Sequence, residues 1–479
     1  MQQLTGLDAA FLAMESKEVC GHVGSVCLVD PSTAPQPLTR QRLADHIGSR
    51  LHLVPLFHRR LLTVPFGLDQ PYWIEDEAPD LDYHVREVSL PAPGDDHQLA
   101  LQIARLHARP LERSRPLWEV YLVTGLTDGR AAIYSKIHHA AIDGVAGDDV
   151  LAAVVDPSPR GRRPGPVPAR THERPPGAVS LLARSGWSLL AQPARVVRLG
   201  AGLIRSTPGL AGVAADRIPS VERLRHHDLL LPHAGLRAPH TPFNAPITSQ
   251  RTWAFADLPL AQVKRVKDAA GVTVNDVVMA LCAGALRRWL TAHNALPSHP
   301  LVAAVPVSIR SENDDGSFGN RLSAMLAALP TDVADPADRL ATAAAAMQAA
   351  KSEHATIPPT LLSDATGFAL PVLANPAWKV AARLRLMERA NPFNLFISNV
   401  PGPRVPLYYA GALLLGYFPI SAIAHGQGLN ITVMSYRDRL CFGMLACRSL
   451  VPDLEQVAAW VGEELQLLLP DEPGKSTTH

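Results

Sequence analysis

A run of prolines and arginines at residues 157–177, PSPRGRRPGPVPARTHERPPG, constrains the fold more than any other segment. Proline fixes φ and has no N–H to donate, so a run this dense neither continues a helix nor joins a central strand. It divides the 479-residue chain into two blocks, each of which mixes strand-like and helix-like apolar patterns. The fold class this predicts is α/β (α+β, with mixed sheets). The predicted boundaries are 1–155 for an amino-terminal domain, 156–247 for a linker and amphipathic connector, 248–469 for a carboxy-terminal domain and 470–479 for a disordered tail. With 47% hydrophobic residues, both blocks have material for a substantial core.

Charge sharpens this division. The 45 basic and 44 acidic side chains give +1 overall, which argues against a dedicated nucleic-acid binder. Residues 157–215, however, carry nine arginines and one acid, Glu173, so this segment holds +8 and the remainder about −7. Within residues 178–206, Val179, Leu182, Trp187, Leu190, Val197 and Leu203 alternate with arginines in an amphipathic helical pattern interrupted at Pro193. Two readings stay open: docking on anionic lipid, at about 1 kcal/mol per nearby arginine, or a solvated linker with a helix packed on the body. The five cysteines are scattered without Cys-x-x-Cys spacing, which fits a reducing compartment. The amino terminus has no basic region ahead of an apolar stretch, so no signal peptide is expected. The uncharged stretch within 405–436 is broken by Pro406, Gly411, Gly416, Pro419, Gly426 and Gly428, so no transmembrane helix is expected either. The expected location is cytoplasmic, soluble or peripheral.

Residues 118–126 and 130–137 read as strands joined through Thr127-Asp128-Gly129, a hairpin signal. The second strand then ends at His138-His139, and a helix is expected from Gly144 onward. In the second block, helices are expected over 258–270, 275–290 and 452–468, and strands over 300–309, 321–329, 393–400, 430–436 and 440–447. Asp335-Pro336 is a cap followed by proline at the first helical position, opening a helix to about residue 354.

The sharpest chemical feature is His138-His139-Ala140-Ala141-Ile142-Asp143-Gly144. Adjacent histidines at a strand's end point different ways, so one of them faces a cleft. An acid four residues on can orient an imidazole or hold an arginine. The small residues at 140, 141 and 144 leave room for a substrate. A neutral, accessible imidazole suits a general base. A metal site requires further ligands, and no matching cluster is apparent, so no metal is expected. The chain has no Gly-x-Ser-x-Gly elbow and no phosphate-cradling glycine loop.

This motif resembles the signature of CoA-dependent acyltransferases of the chloramphenicol-acetyltransferase-like superfamily. Residues 4–12 (LTGLDAAFL), Pro116-Leu117-Trp118, Asn275-Asp276, residues 306–310 (PVSIR) with Gly319-Asn320, and residues 398–403 (SNVPGP) follow in order. Together they resemble the bacterial wax ester synthase/acyl-CoA:diacylglycerol acyltransferase family over nearly the whole chain. The resemblance implies two chloramphenicol-acetyltransferase-like domains with an interdomain active-site tunnel. It implies His139 as the base, His138 as support for the loop, and Asp143 as a structural acid, ion-paired with an arginine such as Arg310. Gly144, Asn275, Asp276, Ser398 and Asn399 are the expected substrate-binding positions. Asn275 either stabilises an oxyanion or caps its helix. Pro116, Leu117 and Trp118 are expected to pack at the domain interface, and Ser398 to Pro403 to form a tunnel-lining crossover. Cys447 stands where the family often has an acid. The implied activity is transfer of a long-chain acyl group from acyl-CoA to diacylglycerol, or to long-chain alcohols. The implied partners are those substrates and the surface of the inner membrane or of lipid droplets. No cofactor is expected, since acyl-CoA arrives as substrate. The alternatives are an amine or polyketide-hydroxyl acceptor on the same fold, or a catalytically silent lipid-binding protein.

Overall fold

The amino-terminal block builds one mixed sheet from widely separated segments. Along the chain run β1 (Gln2–Gln3), α1 (Gly6–Met14), β2 (His22–Asp30), α2 (Arg40–Gly48), β3 (Arg59–Leu62), β4 (Tyr72–Glu75), α3 (Leu81–His84), β5 (Val85–Ser89) and α4 (Asp96–His107). There follow β6 (Trp118–Thr124), β7 (Ala131–His138), α5 (Gly147–Val154) and β8 (Val155–Asp156). The computed structural model describes residues 1–65, 69–76, 78–142, 147–162, 164–165, 176–177, 180–181, 238–308, 322–355 and 392–470. The amphipathic pattern over 178–206 apart from residues 180–181, much of the basic linker and the tail beyond 470 lie outside them.

The β6–β7 hairpin forms as the Asp-Gly signal predicts: Asp128 and Gly129 take φ of 62° and 69°, the left-handed region such a turn requires. β7 then pairs antiparallel with β2, with Val26 opposite Tyr134 and His22 opposite His138.

The second block supplies β9 (Arg251–Pro259), α6 (Leu260–Ala270), α7 (Val274–Ala292), β10 (Leu301–Ser308), β11 (Leu322–Leu329) and α8 (Pro336–Ala355). It continues through β12 (Leu395–Val400), β13 (Tyr408–Tyr409), β14 (Ala412–Ile420), β15 (Leu429–Tyr436), β16 (Arg439–Cys447) and α9 (Leu454–Leu468). Asp335 caps α8 as expected, its Oδ1 accepting from Ala337 and Asp338 N–H at 2.9 and 3.0 Å. The helix expected over 258–270 starts later, because Leu258 and Pro259 close β9. Proline is tolerated there since β9 is an edge strand.

A six-stranded sheet has the order β11-β10-β12-β15-β16-β9, and a seven-stranded sheet the order β5-β6-β7-β2-β14-β13-β8. Both are mixed. Parallel pairs (β5–β6, β10–β12, β12–β15) sit beside antiparallel ones, as the α/β reading requires. The chain crosses over after β12. Residues 408–420 leave the second block and complete the amino-terminal sheet, with Tyr417 opposite Cys27 and Phe418 opposite Val26. Linear domain boundaries do not express this exchange. β14 also passes over β16 closely enough that a Cβ on Gly443 would collide with the carbonyl of Pro419. Phe255 of β9 meets Phe418 edge to face at 4.8 Å. A small antiparallel sheet, β1-β4-β3, completes the described strands.

All five cysteines are free and buried. Burial raises the Cys447 thiol pKa, but hydrogen bonds from Ser449 and Thr248 outweigh it and hold the group below its usual value. The sulfur accepts the Thr248 N–H at 3.2 Å.

Candidate active site

Strand alternation divides β7 between two environments. Tyr134, Lys136 and His138 face the α4 side, where buried polar groups meet them. Lys136 Nζ lies 3.0 Å from Glu119 Oε2 and donates to the carbonyls of Leu106 and Arg109 at 3.3 and 3.0 Å. Burial drives the Lys136 pKa down and the Glu119 carboxylate opposes it, leaving the ammonium below its ordinary value. Tyr121 donates to the same carboxylate at 2.9 Å. His107 Nδ1 lies 2.8 Å from the Tyr134 hydroxyl, and burial holds that imidazole well below its usual pKa. On the other face, Ser135 and Ile137 line an apolar cavity of about 100 Å³ with Val23, Val150, Tyr417 and Ile142, just beyond the histidines.

His138 ends β7 and His139 opens a short 3-10 turn, His139–Ala141. The two side chains part, as adjacent residues at a strand's end do. His138 is fully buried; its Nδ1 accepts from Ala140 N–H at 3.1 Å, which leaves the ring proton on Nε2. His139 is half-buried, its N–H donates to Gly21 O at 2.8 Å, and its ring stacks on Phe11 with centroids 4.1 Å apart. A half-buried imidazole held at its backbone and stacked on one face suits proton transfer to or from a bound hydroxyl.

Pro116, Leu117 and Trp118 correct one expectation. They form the floor of this turn and part of the amino-terminal core, not a domain interface. Leu117 O accepts the His138 N–H at 3.0 Å, and the Leu117 side chain shares a cluster with Leu4, Leu12, Leu61, Trp73 and Ala140. Trp118 is fully buried, stacked on His84 at 4.2 Å, with Nε1 donating to Phe57 O at 3.1 Å.

A second group of predicted residues meets on the other sheet. Asn399 at the end of β12 donates from Nδ2 to Asn275 Oδ1 at 3.3 Å, in the first turn of α7. Ser398 precedes it on β12, opposite Thr432. Asp276 serves the helix start: its Oδ2 accepts from Thr273 N–H and Oγ1 at 2.8 and 2.7 Å, and Thr273 caps it in return. The capping role considered for Asn275 therefore belongs to Thr273 and Asp276, and the Asn275 amide is left to Asn399. In the loop after β12, Gly402 donates its N–H to Ser435 Oγ at 3.0 Å, and a Cβ there would strike the Ser435 carbonyl. Asp143, Gly144 and Arg310 lie outside the described residues.

Sequence reasoning assigned no role to Glu15 or Gly21, and used Phe11 only as part of a motif. All three touch the histidine turn. The usable signal was Phe11 and Glu15 four apart on a helical pattern, hence on one face. The histidines they touch lie more than a hundred positions downstream.

The chain matches the wax ester synthase/diacylglycerol acyltransferase catalytic domain over residues 4–278 and the WS/DGAT C-terminal domain over residues 318–469. It is 38% identical to a probable diacylglycerol O-acyltransferase of Mycobacterium tuberculosis, covering 96% of this chain and 97% of the relative. The solved wax ester synthase/diacylglycerol acyltransferase from Marinobacter aquaeolei VT8 superposes with a TM-score of 0.71 at 30% identity, over 98% of both chains. The first condensation domain of the CDA synthetase shares the fold at a TM-score of 0.53 and 18% identity, over 98% of this chain and 96% of that one.

Proposed function

The chain belongs to the wax ester synthase/diacylglycerol acyltransferase family, and on that premise we propose that it makes triacylglycerol, moving a long-chain acyl group from acyl-CoA to the free hydroxyl of diacylglycerol with His139 as general base. Long-chain alcohols, which give wax esters, are related acceptors. The observation that carries the role of His139 is its setting: backbone tied to Gly21 and ring stacked on Phe11, at the end of a buried strand.

The acceptor hydroxyl gives its proton to the imidazole as its oxygen attacks the thioester carbonyl carbon. The tetrahedral intermediate collapses with cleavage of the C–S bond. The proton then passes from the imidazolium to the CoA sulfur, releasing free thiol and restoring the neutral base. No acyl-enzyme forms. Asn275 is the candidate donor to the oxyanion. Its Oδ1 is occupied by Asn399, which directs the Nδ2 donors elsewhere, and the start of α7 favours negative charge. Holding the two substrates in line contributes on the order of 7–11 kcal/mol.

Each buried methylene of the acyl chain is worth about 0.8 kcal/mol. The apolar cavity beside Ile137 and Ile142 offers a lining suited to part of such a chain. Among the described residues no single helix is long and apolar enough to cross a membrane. Diacylglycerol resides in lipid, so the enzyme meets it at the surface of the inner membrane or of lipid droplets, and the basic 157–215 segment is the candidate contact.

The test is product identification. The purified full chain is given palmitoyl-CoA with a mixture of dioleoylglycerol, hexadecanol, a long-chain amine and a polyketide-type secondary alcohol, and products are read by mass. Triacylglycerol as the main product, with a lesser wax ester, is expected. Amide, or ester of the secondary alcohol alone, would reassign the acceptor. No CoA release with any acceptor would indicate a silent lipid-binding protein.

A further inference from the structure

Glu15 directly follows α1, and its side chain is only 11% exposed. Oε1 accepts from Gly21 N–H at 3.0 Å and lies 3.1 Å from His138 Nε2. Oε2 accepts from Arg113 Nε at 3.1 Å. Burial by itself would raise the Glu15 pKa, but His138, Arg113 and the Gly21 N–H together outweigh it and hold the group down at about 2. The carboxylate is therefore ionised at neutral pH.

Its two neighbours both lead to His139. His138 Nε2 lies 3.1 Å from the carboxylate while its Nδ1 accepts from Ala140 N–H, so the ring braces the turn that His139 opens. Gly21 accepts the N–H of His139 at its carbonyl, 2.8 Å away, while its own N–H is held by Glu15. No side chain fits at position 21, since a Cβ would lie 2.7 Å from His138 Nε2 and 3.2 Å from Glu15 Cγ. Phe11, one turn earlier on the same face of α1, stacks on the His139 ring. Thus the end of α1 touches the side chain before His139, the backbone of His139 through Gly21, and its ring.

We infer that Glu15 is a positioning residue for the acyl transfer: through His138 and Gly21 it fixes the turn at residues 138–140, so that His139 presents its imidazole in one orientation. This rests on the proposed role of His139. Glu15 touches neither substrate nor the reacting atoms, so its effect is on placement, where a shift of about 1 Å can cost on the order of 10²-fold in rate.

The test uses the full chain with Glu15→Ala and Glu15→Gln. Steady-state kinetics are normalised to the folded fraction, and 15N-histidine NMR reads the tautomer of His138, assigned by the signal lost in His138→Asn. Glu15→Ala is expected to lower kcat by about 10- to 100-fold with KM for acyl-CoA little changed, and to replace the single Nε2–H signature of His138 by a mixture. Glu15→Gln keeps one acceptor oxygen but no charge, and is expected to fall between alanine and wild type. Unchanged kcat in folded Glu15→Ala, a loss confined to KM, or an unaltered His138 signature would each overturn the inference. A wild-type protein that transfers no acyl group would defeat the functional reading instead. The NMR result, which needs no turnover, would still decide whether Glu15 holds the turn.

Discussion

The two sheets are of similar size but bury different chemistry. Under the amino-terminal sheet lie His22, His84, His107, Glu119, Lys136 and His138, each no more than 4% exposed, and the Lys136–Glu119 pair sits on the same strand face as His138. At the centre of the carboxy-terminal sheet, β12 and β15 bury Leu395, Ile397, Ile431 and Val433 beside neutral Asn430 and Thr432. A fully buried charged pair of that half, Arg339 with Glu464, links α8 to α9 away from the sheet centre. A buried ion pair is a poor source of net stability, because desolvating two charges offsets most of their attraction. Both halves hold such a pair, but only Lys136–Glu119 shares a strand face with His138, which points to orientation of that face as its use. In the carboxy-terminal half, α7 and β12 bring Asn275 and Asn399 together.

Removing one charge should break this contrast most visibly. Lys136→Met leaves the Glu119 carboxylate buried without its cation and is expected to cost about 3–5 kcal/mol in urea unfolding. The double variant Lys136→Met/Glu119→Leu should regain much of that stability while keeping a lowered kcat. Recovery of both would reduce the pair to a stability element. In the other half, Leu465→Ala, in the core between α9 and the sheet, should cost about 2–5 kcal/mol and leave kcat of the folded enzyme unchanged. A fall in kcat there would erase the distinction between the halves. A pH series sharpens the comparison further. The Glu15 pKa falls from 4.5 free to about 2 when folded, so its stabilisation is present above about pH 4.5 and is lost as pH falls towards 2. The stability gap between wild type and Glu15→Gln, on the order of 3 kcal/mol at neutral pH, should therefore close over that range. A constant gap would show that Glu15 acts through packing alone.

The parts legible in the sequence are those set by neighbours along the chain. Asp128-Gly129 announced the hairpin, the Asp335-Pro336 cap opened its helix, and the histidine pair fell at the end of its strand as expected. The sequence puts Trp118 at a domain interface; its location within the amino-terminal core depends on His84 and Phe57, which come from elsewhere in the chain. Thr273-x-x-Asp276 is itself a local cap signal, yet the resemblance drew attention to Asn275 instead. Strand exchange by residues 412–420 was invisible, because register between segments nearly 400 positions apart leaves no periodic trace in either. Glu15 was missed for the same reason. Its helix and its position one turn after Phe11 could be read, whereas its contacts with Gly21, Arg113 and His138 exist only once β2 pairs with β7.

The most direct measurement is the rate of CoA release, followed with a thiol reagent, by folded His139→Ala supplied with palmitoyl-CoA and dioleoylglycerol. If His139 is the base that this polar half positions, kcat falls by about 10²- to 10⁴-fold while the thermal unfolding midpoint stays close to that of wild type. Release of CoA and formation of triacylglycerol at the wild-type rate would contradict it.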